Sequence, residues 1–481
     1  MAEPRYIIVH GHFYQPPRQS PWTGLIAAEP SAAPFPNWNE RILSECYNAN
    51  AHAHIMEGRV AYIRNNYESL NFDFGPTLHA WLESHGRAAD RAIKRADKAS
   101  GERLGGHGNA IAQGYNHSIL PLLDDEAREV QIAWAIADFR YRFGRDPEGF
   151  WLPECAVDEP TLAAVARRGL KFVIVGADQG HFSSEGREAG PFVWQGEGLS
   201  LAIFRFDRAL AGAVAFSDLL SDGERFAAAL AEAALALAPG AALLVATDGE
   251  TFGHHKRAGA AELARALFLL EPRDDVVVTN CAAYLAAHPA SGVYRVDRPS
   301  SWSCPHGLER WRADCGCRGD ERTRQEWRAP LRAAMEFVLH HAEAVYERFA
   351  AGLCAEPRRA LLEAATLFAD ASPAVVEEFA RRHKIRDETA TGQLLRLFEM
   401  MRAAHASLTS CAWFFDDFAG LEGRIALRWA ARAVELAAEV APSVDGELVQ
   451  RLREIHSNRR ESGDAATLYL SIKTREARGR V

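Results

Sequence analysis

A chain of 481 residues is longer than one ordinary core and points to a large domain with a second one. Its 48% hydrophobic and 25% charged residues give a globular balance, and its net charge of −9, from 55 basic and 64 acidic side chains, argues against nucleic acid or an anionic membrane as the main partner. No run of about 18 apolar residues exists to span a bilayer; the apolar stretch ending at His10 is too short for a signal peptide, so a cytoplasmic location is expected.

Short strand-like runs recur through the first 250 residues. Seven are expected: Arg5–His10, Phe72–Pro76, Gly108–Gln113, Gly149–Leu152, Phe172–Val175, Leu201–Phe206 and Ala241–Thr247. Several are unbroken apolar runs, such as Tyr6-Ile7-Ile8-Val9, which implies a sheet buried on both faces and therefore parallel. Ala-rich helical stretches separate them at Glu126–Phe143, Pro160–Arg168 and Ser221–Ala238. Seven βα units predict a closed or nearly closed barrel. The open doubly wound alternative would normally carry a Gly-rich phosphate turn when it binds nucleotides, and none is present. Val276–Thr279 reads as a late strand or a connection. From about Trp327 the texture becomes helical, with amphipathic segments at Pro330–Phe349, Ala374–Arg382 and Gly423–Val440. The expected division is a barrel over 1–295 and a helical domain over 296–481, the latter lending a loop around Trp302 to the site. The tail after Ser457 is basic and polar, and its end is expected to be loosely held.

In a parallel β/α barrel the functional side chains sit at the C-terminal ends of strands. Four such ends are chemically loaded: His10-Gly11-His12-Phe13-Tyr14-Gln15-Pro16, Gln113-Gly114-Tyr115-Asn116-His117, Trp151-Leu152-Pro153-Glu154-Cys155, and Asp248-Gly249-Glu250 through His254-His255. Glu154 alone could be a loop or capping glutamate, and Asp248 alone a turn aspartate beside Gly249. Together they meet the needs of glycosidic cleavage, in which one carboxylate attacks and a second carboxylic acid protonates the leaving oxygen. His10 and His12, two apart in extended chain, point to one face and suit sugar hydroxyls; a metal is the weaker reading, because no histidine pair stands at i and i+4. Tyr14, Trp22, Trp38, Trp151, Trp302 and Trp311 are aromatic candidates for stacking on sugar rings, although core packing is the usual role of any one of them. Cys304, His306, Cys315 and Cys317 form a possible small zinc site. Their C-x-H and C-x-C spacings are tighter than a C-x-x-C knuckle, so reduced thiols in a tight loop are expected instead. The eight scattered cysteines fit a reduced protein.

These elements resemble glycoside hydrolase family 57, the group of amylases, 4-α-glucanotransferases and branching enzymes. Five short regions carry the resemblance: His10-Gly11-His12 with Gln15-Pro16, set off by the inserted Phe13 and Tyr14; His117 to Pro121; Trp151 to Glu154; Asp248 to Gly253; and Ser301-Trp302. The run Thr409 to Asp417 and the Cys-rich segment resemble one subgroup of that family. The resemblance implies an α/β fold, an incomplete (β/α)7 TIM-like barrel followed by an α-helical domain, and a retaining mechanism on α-glucans. Glu154 would be nucleophile and Asp248 acid/base, with no metal and no cofactor. The substrate-binding set it implies is His10, His12, Gln15, Asn109, His117, Trp151, Glu250, His254, Trp302 and Trp311. Asn109 departs from the family, which often has a sugar-binding glutamate there. That departure motivates an alternative, a glucan-binding protein on a catalytically weak scaffold. His10, His12 and Asp248 motivate another, a metal-dependent carbohydrate deacetylase.

Overall fold

The apolar runs pair as anticipated. In the computed structural model, which describes residues 3–57, 60–183 and 190–478, seven strands lie parallel: β1 (Arg5–Phe13), β2 (Asn71–Phe74), β3 (Ala110–Gln113), β4 (Gly149–Trp151), β5 (Phe172–Gly176), β6 (Leu199–Phe206) and β7 (Ala242–Asp248). Their order is β7-β1-β2-β3-β4-β5-β6. Ile7, Ile8 and Val9 of β1 are fully buried, as strands covered on both faces must be. Gly149 opens β4 because a Cβ there would meet the Phe172 ring of β5 at 2.3 Å.

The sheet curls into an incomplete barrel. Among the described residues no ladder joins β6 to β7; a hydrogen bond from Asp207 N to Leu244 O (2.8 Å) reaches across that seam. Helices follow most strands. Asp158 caps Glu159–Arg167 through Thr161 N, and Asp222 caps Gly223–Leu235 through Glu224 N and Arg225 N. Between β5 and β6 runs a ribbon instead: Phe192–Gly196 lies antiparallel to β6, and Val293–Arg295 bridges it to His181–Ser183. Val276–Val278 is a strand, parallel to the start of β1. A hairpin of Ala53–Glu57 and Val60–Arg64 was not expected. Neither was the helix Arg87–Arg103, a heavily charged segment that buries only Ala89, Ala92, Ile93 and Ala96 at helical spacing among its apolar residues.

The chain divides into two units. The barrel unit comprises residues 1–15, 28–113 and 139–302, and the helical unit 16–27, 114–138 and 303–481. Trp302 thus falls inside the barrel unit, beyond the expected boundary at 295. In the helical unit, Arg328–Ala350, Glu388–Ala406 and Leu421–Ala437 supply the core. The Thr409 to Asp417 run is a tie within it. Ser410 N donates to His117 O, Asp416 accepts from Gly319 N and Asp320 N, and Asp417 accepts from Ser457 Oγ and Asn458 N. Ala465–Arg478 is a helix that buries Tyr469, whose hydroxyl donates to Asp445 (2.7 Å); the end of the tail, expected to be loosely held, lies outside the described residues.

Candidate active site

Sheet register assembles the barrel's carboxylates. His12 of β1 stands opposite Asp73 of β2 on one side and Asp248 of β7 on the other. Asp73 is fully buried. Its Oδ1 lies 3.0 Å from His10 Nε2 and its Oδ2 2.8 Å from His12 Nδ1. Asn71 Nδ2 lies 2.7 Å from His10 Nδ1, while Asn71 Oδ1 accepts from Cys281 N, which fixes the amide's orientation. His10 Nδ1 must therefore accept, so its proton sits on Nε2 and points to Asp73. The Gln113 amide satisfies its neighbours with its nitrogen toward Asp73 Oδ2 (3.0 Å). Beside this cluster Trp151, wholly buried, stacks on both imidazoles, with centroids 4.7 Å from His10 and 4.9 Å from His12.

Glu154 sits in a different kind of backbone. Glu154 (φ 59°) and Cys155 (φ 47°) are consecutive left-handed residues, and neither is glycine. Such conformations cost about 1–2 kcal/mol each for L-residues, so the surrounding structure must hold them. A short antiparallel ladder does so: Val157 N donates to Ser300 O (2.9 Å), Ser300 N to Val157 O (3.1 Å) and Trp302 N to Glu154 O (3.0 Å). The ladder delivers the Trp302 indole, whose Nε1 donates to Glu154 Oε2 at 3.1 Å. The Trp302 ring meets Trp151 edge-on at 5.1 Å.

Asp248 ends β7, and the turn beyond it explains the glycines of its motif. A Cβ on Gly249 would strike the Phe13 ring at 2.3 Å; Gly253 has φ +137°, and a Cβ there would strike Glu45 O at 2.2 Å. Asp248 is exposed, yet the neighbouring protein withdraws part of its hydration. That partial desolvation pushes its carboxyl up to about 6; His12 opposes the rise, and the negative charges of Glu154 and Asp73 add to it. His12 is lowered to about 4, chiefly by burial, and is neutral at pH 7. Asp73 is raised to about 7 by burial. Glu250 is raised to about 8, by burial and then by the charge of Asp248.

Burial redistributes the expected sugar contacts. Glu154, Asp248, Trp302 and His254 reach the surface. Glu250 does not: it is buried, and its Oε1 accepts from Tyr47 Oη (2.8 Å) and Tyr14 N (3.2 Å), so it braces the loop instead of meeting sugar. His10 and Trp151 are likewise supports with no exposed face. Asn109 stands just before β3, at the end of the strand opposite to Gln113. It donates to Tyr67 O and accepts from Asn280 Nδ2, which is a structural role. Gln15 is buried and donates to Tyr14 O. His254 pairs with Glu45 and meets Trp38 edge-on. His117 and Trp311 belong to the helical unit. His117 pairs with Ser410 Oγ (2.6 Å), and Trp311 is fully buried there, with no face for a sugar. Asp73 and Asn71 were not anticipated. The available signal was polar residues at Asn71 and Asp73 inside a strand whose remaining residues are phenylalanines. As for a barrel metal, both nitrogens of His10 are spent on Asn71 and Asp73, an arrangement that orients the ring and leaves it no lone pair for an ion.

The incomplete parallel barrel thus carries two carboxyls at its mouth, one raised and one held by an indole. Residues 103–291 match the family model Glycosyl hydrolase family 57, and residues 324–477 match a domain of unknown function, DUF3536. Alpha-amylase 1 of Dictyoglomus thermophilum is 28% identical over 154 residues, covering 31% of this chain and 21% of the amylase. The 1,4-alpha-glucan branching enzyme of Thermococcus kodakarensis is 46% identical over 125 residues, 24% of this chain and 18% of the enzyme. The chain thus spans about a fifth of the length of these curated relatives. The fold is similar to that of an exo-type maltose-forming amylase from Pyrococcus sp. ST04, with TM-score 0.66 and 15% identity over 97% of this chain and 82% of that one. It is also similar to a 4-alpha-glucanotransferase from Thermococcus litoralis, with TM-score 0.57 and 14% identity over 92% and 61%. Residues 103–291 are thus similar to glycosyl hydrolase family 57, and the fold is similar to those of the solved structures named above.

Proposed function

We propose that this chain is a retaining glycoside hydrolase or transglycosylase acting on α-glucans, with Glu154 as nucleophile and Asp248 as acid/base. The observation that carries the reading is the split between the two carboxyls. Asp248 is raised to about 6 by partial desolvation and by the charge of Glu154, while Glu154 accepts the Trp302 indole and sits in a fixed backbone. A raised acid can hold the proton that a departing sugar oxygen needs. An oriented carboxylate can attack the anomeric carbon without first reorganising. In the first step Glu154 forms the glycosyl ester as Asp248 gives up its proton. In the second, Asp248 takes a proton from the acceptor, which attacks the ester. Water as acceptor gives hydrolysis, and a sugar hydroxyl gives transfer or branching. The names of the similar proteins, an amylase, a glucanotransferase and a branching enzyme, support an α-glucan as substrate.

The glucan-binding alternative loses its motive, since Asn109 is held within the protein at the far end of β3. The deacetylase alternative loses one of its ligands, since His10 is engaged on both nitrogens. The test is turnover of amylose, glycogen and maltooligosaccharides by the wild type, with product anomers followed by proton NMR. Retained α-configuration is expected. Inverted product, or no turnover of any α-glucan, would sink the double displacement on these substrates.

A further inference from the structure

The geometry points to a structural zinc site in the helical unit, formed by Cys304, His306, Cys315 and Cys317. Their ligand atoms all lie within 4.8 Å of one another. Cys304 Sγ is 3.7 Å from Cys317 Sγ and 4.0 Å from Cys315 Sγ, and Cys317 Sγ is 3.6 Å from His306 Nδ1. A tetrahedral zinc with Zn–S bonds of about 2.3 Å and Zn–N bonds of about 2.0–2.1 Å sets its sulfurs about 3.8 Å apart and sulfur and nitrogen about 3.5 Å apart. The three separations Cys304–Cys317, Cys304–Cys315 and Cys317–His306 are close to three edges of that tetrahedron, and the other ligand pairs lie within 4.8 Å. A disulfide is a poorer account, because it joins two sulfurs at about 2.05 Å and would leave the third and the imidazole unexplained. Three sulfurs and one nitrogen with no open position make a closed, structural set.

The tight spacing that argued against a metal has a backbone solution. Gly316, between Cys315 and Cys317, has φ +81°, and Gly307, after His306, has φ +84°. Left-handed glycines turn the chain so that ligands one residue apart meet at one point. The surroundings suit thiolates. The backbone N–H groups of His306 and Arg310 hydrogen-bond to Cys304, and that of Cys317 to Cys315. Arg328 is fully buried. Its Nη1 lies 3.8 Å from Cys315 Sγ and its Nη2 donates to Cys317 O at 2.8 Å; among the described residues it has no carboxylate ion pair. Zinc with three thiolates and a neutral imidazole carries one negative charge, which Arg328 balances. Three neutral thiols would leave that guanidinium buried and unpaired, a costly arrangement. Binding releases the thiol protons to solvent.

The experiment is metal analysis of the full chain purified under reducing conditions and washed with chelator, beside Cys304→Ser/Cys317→Ser. The wild type is expected to keep about one zinc per chain, and the double variant to lose roughly nine-tenths of it. Because the variant's folding could suffer, zinc X-ray absorption of the wild type is the second reading. A shell of three sulfurs at about 2.3 Å and one nitrogen supports the site. Wild-type chain that takes up no added zinc, a shell of oxygen and nitrogen only, or a disulfide at Cys304 would each overturn it. So would zinc that persists in the double variant, for instance on the more exposed Asp124, His340 and Glu343 group.

Discussion

Glu154 and Asp248 reach the barrel mouth by opposite means. Asp248 is the last residue of a regular strand, and the register of β7 against β1 places it beside His12. Glu154 lies past the end of β4, in two left-handed residues held by a ladder to Ser300 and Trp302. A sheet register sets position and leaves the surroundings to tune the proton. A strained, clamped loop sets direction. The difference matches what the two proposed roles would demand, since an acid needs the right affinity for a proton and a nucleophile needs the right line of approach.

The largest effect should separate the two roles outright. Glu154→Gln is expected to lose about 10³-fold or more in kcat on every substrate, activated aryl glycosides included, because no group replaces the nucleophile. Asp248→Asn should fall comparably on glucans yet keep much of its first-step rate on aryl glycosides whose leaving group needs no proton. Burst kinetics with a nitrophenyl maltooligoside would tell them apart, and equal losses on both substrates would reverse or erase the assignment. Trp302→Phe comes next. It removes an indole hydrogen bond to a charged group, worth about 1.5–3 kcal/mol, so a fall of roughly 10- to 150-fold in kcat is expected with the fold unchanged by circular dichroism. The acid limb is a smaller effect. With Asp248 near 6, kcat/KM should decline about tenfold per unit as pH rises above about 6. In Glu154→Gln the Asp248 carboxyl, followed by carbon NMR, should titrate lower, because a charge that raised it is gone. The smallest effect concerns Glu250, whose folded value is raised from 4.5 to about 8. The folded state holds that proton more tightly than the unfolded one, so this group's contribution to stability is lost as pH climbs through that window. Glu250→Gln should lose less stability than wild type between pH 5 and 8 in urea titrations.

The sequence made much of this legible, for physical reasons. All seven strands were visible, several of them because a strand covered on both faces is a short unbroken apolar run. The network around His12 was hidden. Asp73 meets His10 across 63 positions, a separation that only register closes, and a single sequence does not print register. Asn109 misled because proximity to a loaded strand says nothing about which end of the strand a residue occupies. Glu250 and Trp151, expected as sugar contacts, are buried against Tyr47 and the imidazoles, because a polar or aromatic residue next to a candidate catalytic one is as readily its support as its partner.

The left-handed pair at Glu154 and Cys155 carries a consequence for how the chain would change under selection for endurance alone. Asparagine enters that backbone region far more readily than glutamate. Glu154→Asn should therefore unfold at a higher temperature than Glu154→Gln, though both are expected to be inactive under the proposed mechanism. A population screened only for survival on heating would drift toward such a residue and abandon its chemistry.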